Sequence, residues 1–130
     1  SRRYTDFFTL IITSEIVKRF VSEKPPLTAD ELSEKCKVPS RLTNIILDNL
    51  LEINIISPTP SKADEREMAY QPAVDINNIT VSYLMSKLDK KGSEDFMIDT
   101  QTIYSDHWNA LVNNRMYIYE SNTDVLLKDL

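Results

Sequence analysis

The chain has 130 residues, 42% hydrophobic and 27% charged, the length and balance of one domain that folds around its own core and not of a disordered tail. Twenty Asp and Glu against fifteen Lys and Arg leave a net charge of −5, which disfavours non-specific binding to nucleic acid or to an anionic membrane. A single Gly excludes the Walker and Rossmann phosphate loops, a single Cys excludes an internal disulfide or a multi-cysteine metal site, and a single His excludes a His-rich metal centre.

The chain opens Ser1-Arg2-Arg3 and reads as an excised fragment with neither a signal-peptide core nor the ~18 apolar residues of a membrane span. Over residues 4–21, Tyr4, Phe7, Phe8, Leu10, Ile11, Ile12, Ile16, Val17, Phe20 and Val21 recur at spacings of three and four, which predicts a first helix with a broad buried face. Pro25-Pro26 ends it. Thr28-Ala29-Asp30-Glu31 is a capping box and opens a short second helix that buries Leu32. Residues 37–40 form a turn, and Ser40 is read as the cap of a third helix whose Leu42, Ile45, Ile46, Leu50 and Leu51 form one face. Residues 53–57 read as a strand, residues 58–67 as a polar wing, and residues 68–72 as the returning strand. This order is that of a winged helix-turn-helix. Thr80 then caps a helix over residues 82–91, with Leu84, Met85 and Leu88 at helical spacing and Gly92 in the left-handed C′ position. A final helix is predicted over residues 99–119, followed by an apolar tail, residues 125–130, that docks on the body.

If the winged helix bound DNA, its third helix would offer Arg41, Thr43, Asn44 and Asn49 to base edges, with Lys37, Lys62 and Arg66 for phosphates. The surrounding charge has the wrong sign: residues 26–72 hold five basic against eight acidic side chains. Asp106 and His107 are helix neighbours that point about 100° apart, so they form no ready dyad, and His107 reads as a surface residue beside Trp108. Cys36, between Lys35 and Lys37, reads as a small half-buried side chain and not as a redox switch. Glu94, Asp95 and Asp99 lack a calcium-loop spacing and read as a solvated loop with a helix cap at Asp99. Catalytic, cofactor and metal sites are therefore expected to be absent. Trp108, Leu111, Val112 and Tyr119, in an aromatic-rich segment with Tyr104 and Tyr117, are candidates for self-association into a homodimer.

The stretch EKPPLTADELSEKCKVPSRL from Glu23, IILDNL from Ile45, YQPAVDINNITV from Tyr70, LDKKGS from Leu88 and LLKD from Leu126 resemble the C-terminal region of the YihY/BrkB family, inner-membrane proteins formerly labelled ribonuclease BN. The resemblance implies a multi-helix membrane domain before Ser1, with this part on the cytoplasmic face of the bacterial inner membrane and its partner either another protein or that membrane domain. The same order is similar to Rrf2-type transcription regulators, whose iron–sulfur members carry clustered cysteines and whose wing is often basic and glycine-rich. Here only Cys36 is present, and residues 61–67 are acidic and lack glycine.

The expected fold is thus mainly α (α+β): a winged helix-turn-helix with flanking helices over residues 1–92, and a helical extension, residues 93–130, packed on the same domain. Its expected role is that of a non-catalytic regulatory or interaction domain. A DNA-binding regulator is the alternative, and a ribonuclease-associated RNA-binding domain stands third.

Overall fold

A computed structural model describes residues 2–95 and 124–130. Helices α1 (Arg2–Val21), α2 (Ala29–Cys36) and α3 (Ser40–Glu52) are followed by strands β1 (Ile56–Pro60) and β2 (Met68–Pro72), a 3₁₀ turn (Ile76–Asn78), helix α4 (Val81–Asp95) and a last 3₁₀ turn (Leu127–Asp129). The architecture is mainly helical with a small two-stranded hairpin, an α+β arrangement. The core joins Ile12, Ile16 and Val17 of α1, Leu32 of α2, Ile46, Leu47 and Leu50 of α3, and Ile55, Ile56, Ile79, Leu84 and Leu127 from later elements.

Local chemistry explains where the elements start. At α2 the Glu31 N–H donates to the Thr28 hydroxyl at 3.3 Å, and the Thr28 N–H donates to the Glu31 carboxylate at 3.0 Å, the reciprocal pair expected of the capping box. At α3 the residue before the first turn is Pro39, with no side-chain cap, and Ser40 is already helical. The expected Ser40 cap is therefore corrected: proline's fixed φ supplies the helix entry, and the Ser40 hydroxyl lies 3.3 Å from that of Ser33. The Val38 carbonyl accepts from the Ser33 and Thr43 hydroxyls at 2.6 and 3.3 Å, tying the turn to both helices.

The helix ends share one device. Glu23, Lys37 and Asn54 lie in the left-handed region at φ 58°, 56° and 60°. Each precedes a residue whose N–H returns five positions: Lys24 to Arg19 at 2.9 Å, Val38 to Ser33 at 3.1 Å and Ile55 to Leu50 at 3.0 Å. This 6→1 bond is the Schellman stop. The third stop consumes residues 53–55, so β1 starts at Ile56 and not at the expected residue 53. Gly92 makes no such stop: α4 runs through it to Asp95, and the chain has no glycine at positive φ. The left-handed role expected of Gly92 and the helix end at residue 91 are both corrected by helix bonding that continues past the glycine.

Strands β1 and β2 pair antiparallel, with Pro58 opposite Tyr70 and Pro60 opposite Met68. The Tyr70 N–H turns away from β1 and donates to the Leu27 carbonyl at 3.1 Å, while Thr28 bridges Ala69. The segment before α2 therefore lines the second edge of β2.

The buried face of α1 is narrower than expected. Thr9 and Thr13 lie inside, each hydroxyl donating to the carbonyl four residues earlier at 2.7 Å, whereas Tyr4, Phe7, Phe20 and Val21 are exposed. Lys35 pairs with Glu15 at 3.2 Å and links α2 to α1. Among the described residues, no helix is long and apolar enough to cross a membrane. The helix expected over residues 99–119, with Trp108, Leu111, Val112 and Tyr119, lies outside the described residues, as does His107.

Candidate functional site

Of the side chains expected to meet nucleic acid, Thr43 is buried, Asn49 is half-buried and the others are exposed. On α3, positions 43, 46, 47 and 50 form the inward stripe, so Thr43 is fully buried and its hydroxyl is used by Val38. Thr43 is thereby removed from the candidate contacts. Ile45, expected in the core, is turned out and 47% exposed. The outward face of α3 then reads Arg41, Asn44, Ile45, Asp48 and Glu52, with Asn49 half-buried at its margin. A branched apolar side chain lies among one cation, one amide and two carboxylates. Asp48 also acts on Tyr70 of β2, whose phenol is pushed above its ordinary pKa first by burial and then by that negative charge.

The cations of the hairpin loop and the turn are placed apart from this face in sequence and differ in their engagement. Arg66 is clamped by Asp64 through two side-chain bonds of 3.1 Å each, and the Arg66 N–H donates to the same carboxylate at 3.0 Å. These bonds hold the Asp64 carboxyl below its ordinary range and raise the guanidinium further. Arg66 is highly exposed in this pair, so Asp64 offsets its charge without sequestering it. Lys62 is exposed beside the buried Ser61, whose hydroxyl accepts the Ala63 N–H at 3.3 Å. Lys37 is exposed, but its backbone is committed to the stop between α2 and α3.

Cys36 is half-buried, and its thiol is pushed up first by burial and then by the charge of Glu15, against the opposing pull of Lys35. A thiol held protonated is a weak nucleophile, so flanking lysines do not activate it. Among the described residues, no group of three or more His, Cys, Asp or Glu side chains is arranged to hold a metal ion.

Sequence patterning missed two features. A cleft of about 490 Å³ opens between the end of α1 and β2, lined by Ile16, Phe20, Lys24, Pro26, Tyr70 and Ile76 among others. It forms between elements some 50 positions apart, and the only sequence signal would have been Phe20 and Val21 falling off the inward stripe of α1. The second is Asp124, whose carboxylate accepts the Ser82 N–H at 3.1 Å across 42 positions of sequence. The chain matches no protein-family model and no curated protein.

Proposed function

We propose that this chain is a non-catalytic interaction module of winged helix-turn-helix type that works through protein contacts. The observation that carries the reading is the outward face of α3, where exposed Ile45 is bordered by Asp48 and Glu52. A helix that tracks DNA places cations against phosphate; an isolated branched apolar side chain with a polar rim suits a protein surface better. The winged arrangement draws support from the order of α1, α2, α3 and hairpin, and from Leu27 and Thr28 pairing along β2. By its resemblance to the YihY/BrkB family, the module belongs to a membrane protein and sits on the cytoplasmic face of the bacterial inner membrane, with that protein's membrane domain or another protein as its partner.

The second reading, an Rrf2-type DNA-binding regulator, rests on Arg41 and Asn44, both exposed on α3 and of the types that read guanine and adenine edges. Titration into labelled duplex DNA at ~50 mM salt, where phosphate contacts are strongest, separates the two. The interaction module gives no saturable sub-micromolar binding. Saturable, sequence-dependent binding that Arg41→Ala abolishes would overturn it in favour of the regulator, and the same titration with a structured RNA tests the RNA-binding reading.

A further inference from the structure

The last seven residues are held to the body by bonds to three earlier elements. The Val81 N–H donates to the Val125 carbonyl at 2.9 Å and the Leu127 N–H donates to the Ile79 carbonyl at 3.0 Å, framing an antiparallel bridge between Thr80 and Leu126. Leu127 is fully buried with Ile79 and Leu84. Asp124 accepts the Ser82 N–H, while Thr80 accepts that of Tyr83 at 3.0 Å, so the first turn of α4 is capped once by its own neighbour and once by the distant segment. Lys128 donates to Asn77 at 2.8 Å, and Lys18 of α1 donates to the Leu130 carbonyl.

The balance of these contacts is lopsided. Of the seven residues only Leu127 is buried, while Asp124, Val125, Asp129 and Leu130 are exposed. One fully buried side chain, two main-chain bonds, the packing of the last 3₁₀ turn on α1 and a few exposed polar bonds oppose the conformational entropy of ordering the whole segment. The α1–α3 core, with eight fully or nearly fully buried aliphatic side chains in α1, α2, α3 and Val38 between the last two, has no such weakness. Chain-terminal segments with a single fully buried side chain open below the free energy of global unfolding.

We propose that residues 124–130 are a reversible latch: a peptide ligand carried by the chain itself, seated in a slot formed by residues 76–84 and Lys18, with Asp124 and Leu127 as its recognition residues. Closed, it holds the start of α4 against α1. Open, it removes the second cap from α4 and bares the slot around Ile79 and Leu84. Farther along, α4 also meets α3 through the Lys91–Glu52 ion pair at 3.5 Å. An ion pair of this exposure contributes little to holding α4 in place. The latch stands independently of the proposed function.

Amide hydrogen exchange on the full chain, with and without Leu127→Asp, tests it together with a synthetic peptide of sequence DVLLKDL. In the unaltered chain, the Val81, Ser82 and Leu127 amides exchange at least tenfold faster than those of Ile46, Leu47 and Leu50. Leu127→Asp abolishes protection at Val81 and Ser82 and leaves the α3 amides unchanged, and the peptide binds this variant at least tenfold more tightly than the unaltered chain, whose own segment competes for the slot. Equal exchange at the latch and at α3 in the unaltered chain overturns the proposal, whatever the variant's ability to fold, because the segment then opens only with the whole core. Peptide binding to both chains equally, or to neither, overturns it too.

Discussion

Three helix ends place Glu23, Lys37 and Asn54 in the left-handed region, where a Cβ is unwelcome in all but asparagine, while the one glycine is spent inside α4. Replacing Lys37 by Gly relieves that crowding, and the folded state gains about 1 kcal/mol, less what glycine adds to the freedom of the unfolded chain. Gly92→Ala has the same sign, up to about 1 kcal/mol, because alanine is the better helix former. Urea melts of both variants check this; a glycine in the left-handed region would have made Gly92→Ala destabilising. The sequence misled at Gly92 because glycine is the usual stop signal, and the stops here are made instead by 6→1 bonds at Glu23, Lys37 and Asn54, which bear the cost of a Cβ in the left-handed region. Thr28 was legible, since both partners of its capping box lie within four positions. Thr28→Ala costs about 1 kcal/mol, read as a shift in melting midpoint. At Cys36 the sign is equally definite. Burial and Glu15 raise the thiol, so its contribution to stability is complete below the ordinary thiol range and is lost as pH rises through the folded value. Alkylation at pH 7 is accordingly slower in the folded chain than in urea, and equal rates would contradict a protonated, sheltered thiol.

Among the elements, α3 shows how an apolar count and a buried face diverge. Counting Leu42, Ile45 and Ile46 as one stripe puts Ile45 inside; rotating by one position, with Thr43 as the fourth inward residue, fits the 43, 46, 47, 50 spacing that is buried. The error has a physical source, because a threonine whose hydroxyl is satisfied by a nearby carbonyl packs much as valine does. Ile46→Ala therefore costs about 2–5 kcal/mol, as for other buried aliphatics, whereas Ile45→Ala stays within about 0.5 kcal/mol. Denaturant midpoints separate the two, and similar values for the pair would place the face wrongly. In α4 the cap that was legible, Thr80, is local, and the one that was not, Asp124, is distant. Burial would raise the Asp124 carboxyl, but hydrogen bonds from Thr80, Ser82 and Val125 outweigh it and hold the pKa below the usual carboxylate range. Its contribution is thus present above the ordinary carboxylate range and is lost as pH falls through the lowered value, so acidification loosens the start of α4 ahead of α3 unless Asp124→Asn removes the dependence.

For the molecule as a whole, element order was legible and element contact was not. Hydrophobic spacing and turn residues locate α1 to α3 and the hairpin because each signal is contained within one element, whereas the cleft beside Phe20 and the seat of Leu127 depend on pieces distant in sequence. Net charge was legible, but which carboxylates neutralise which cations was not: Asp64 engages Arg66, and Glu15 engages Lys35. The hairpin has one more property. Because the Tyr70 N–H faces Leu27, its opposite number Pro58, and Pro60 two positions along, occupy the sites on β1 whose N–H groups would point outward from the pair. Among the described residues that side of β1 has no neighbouring strand. Proline leaves it without two of the donors that an incoming chain would need, so this edge is a poor template for further strands, which disfavours strand-by-strand aggregation there.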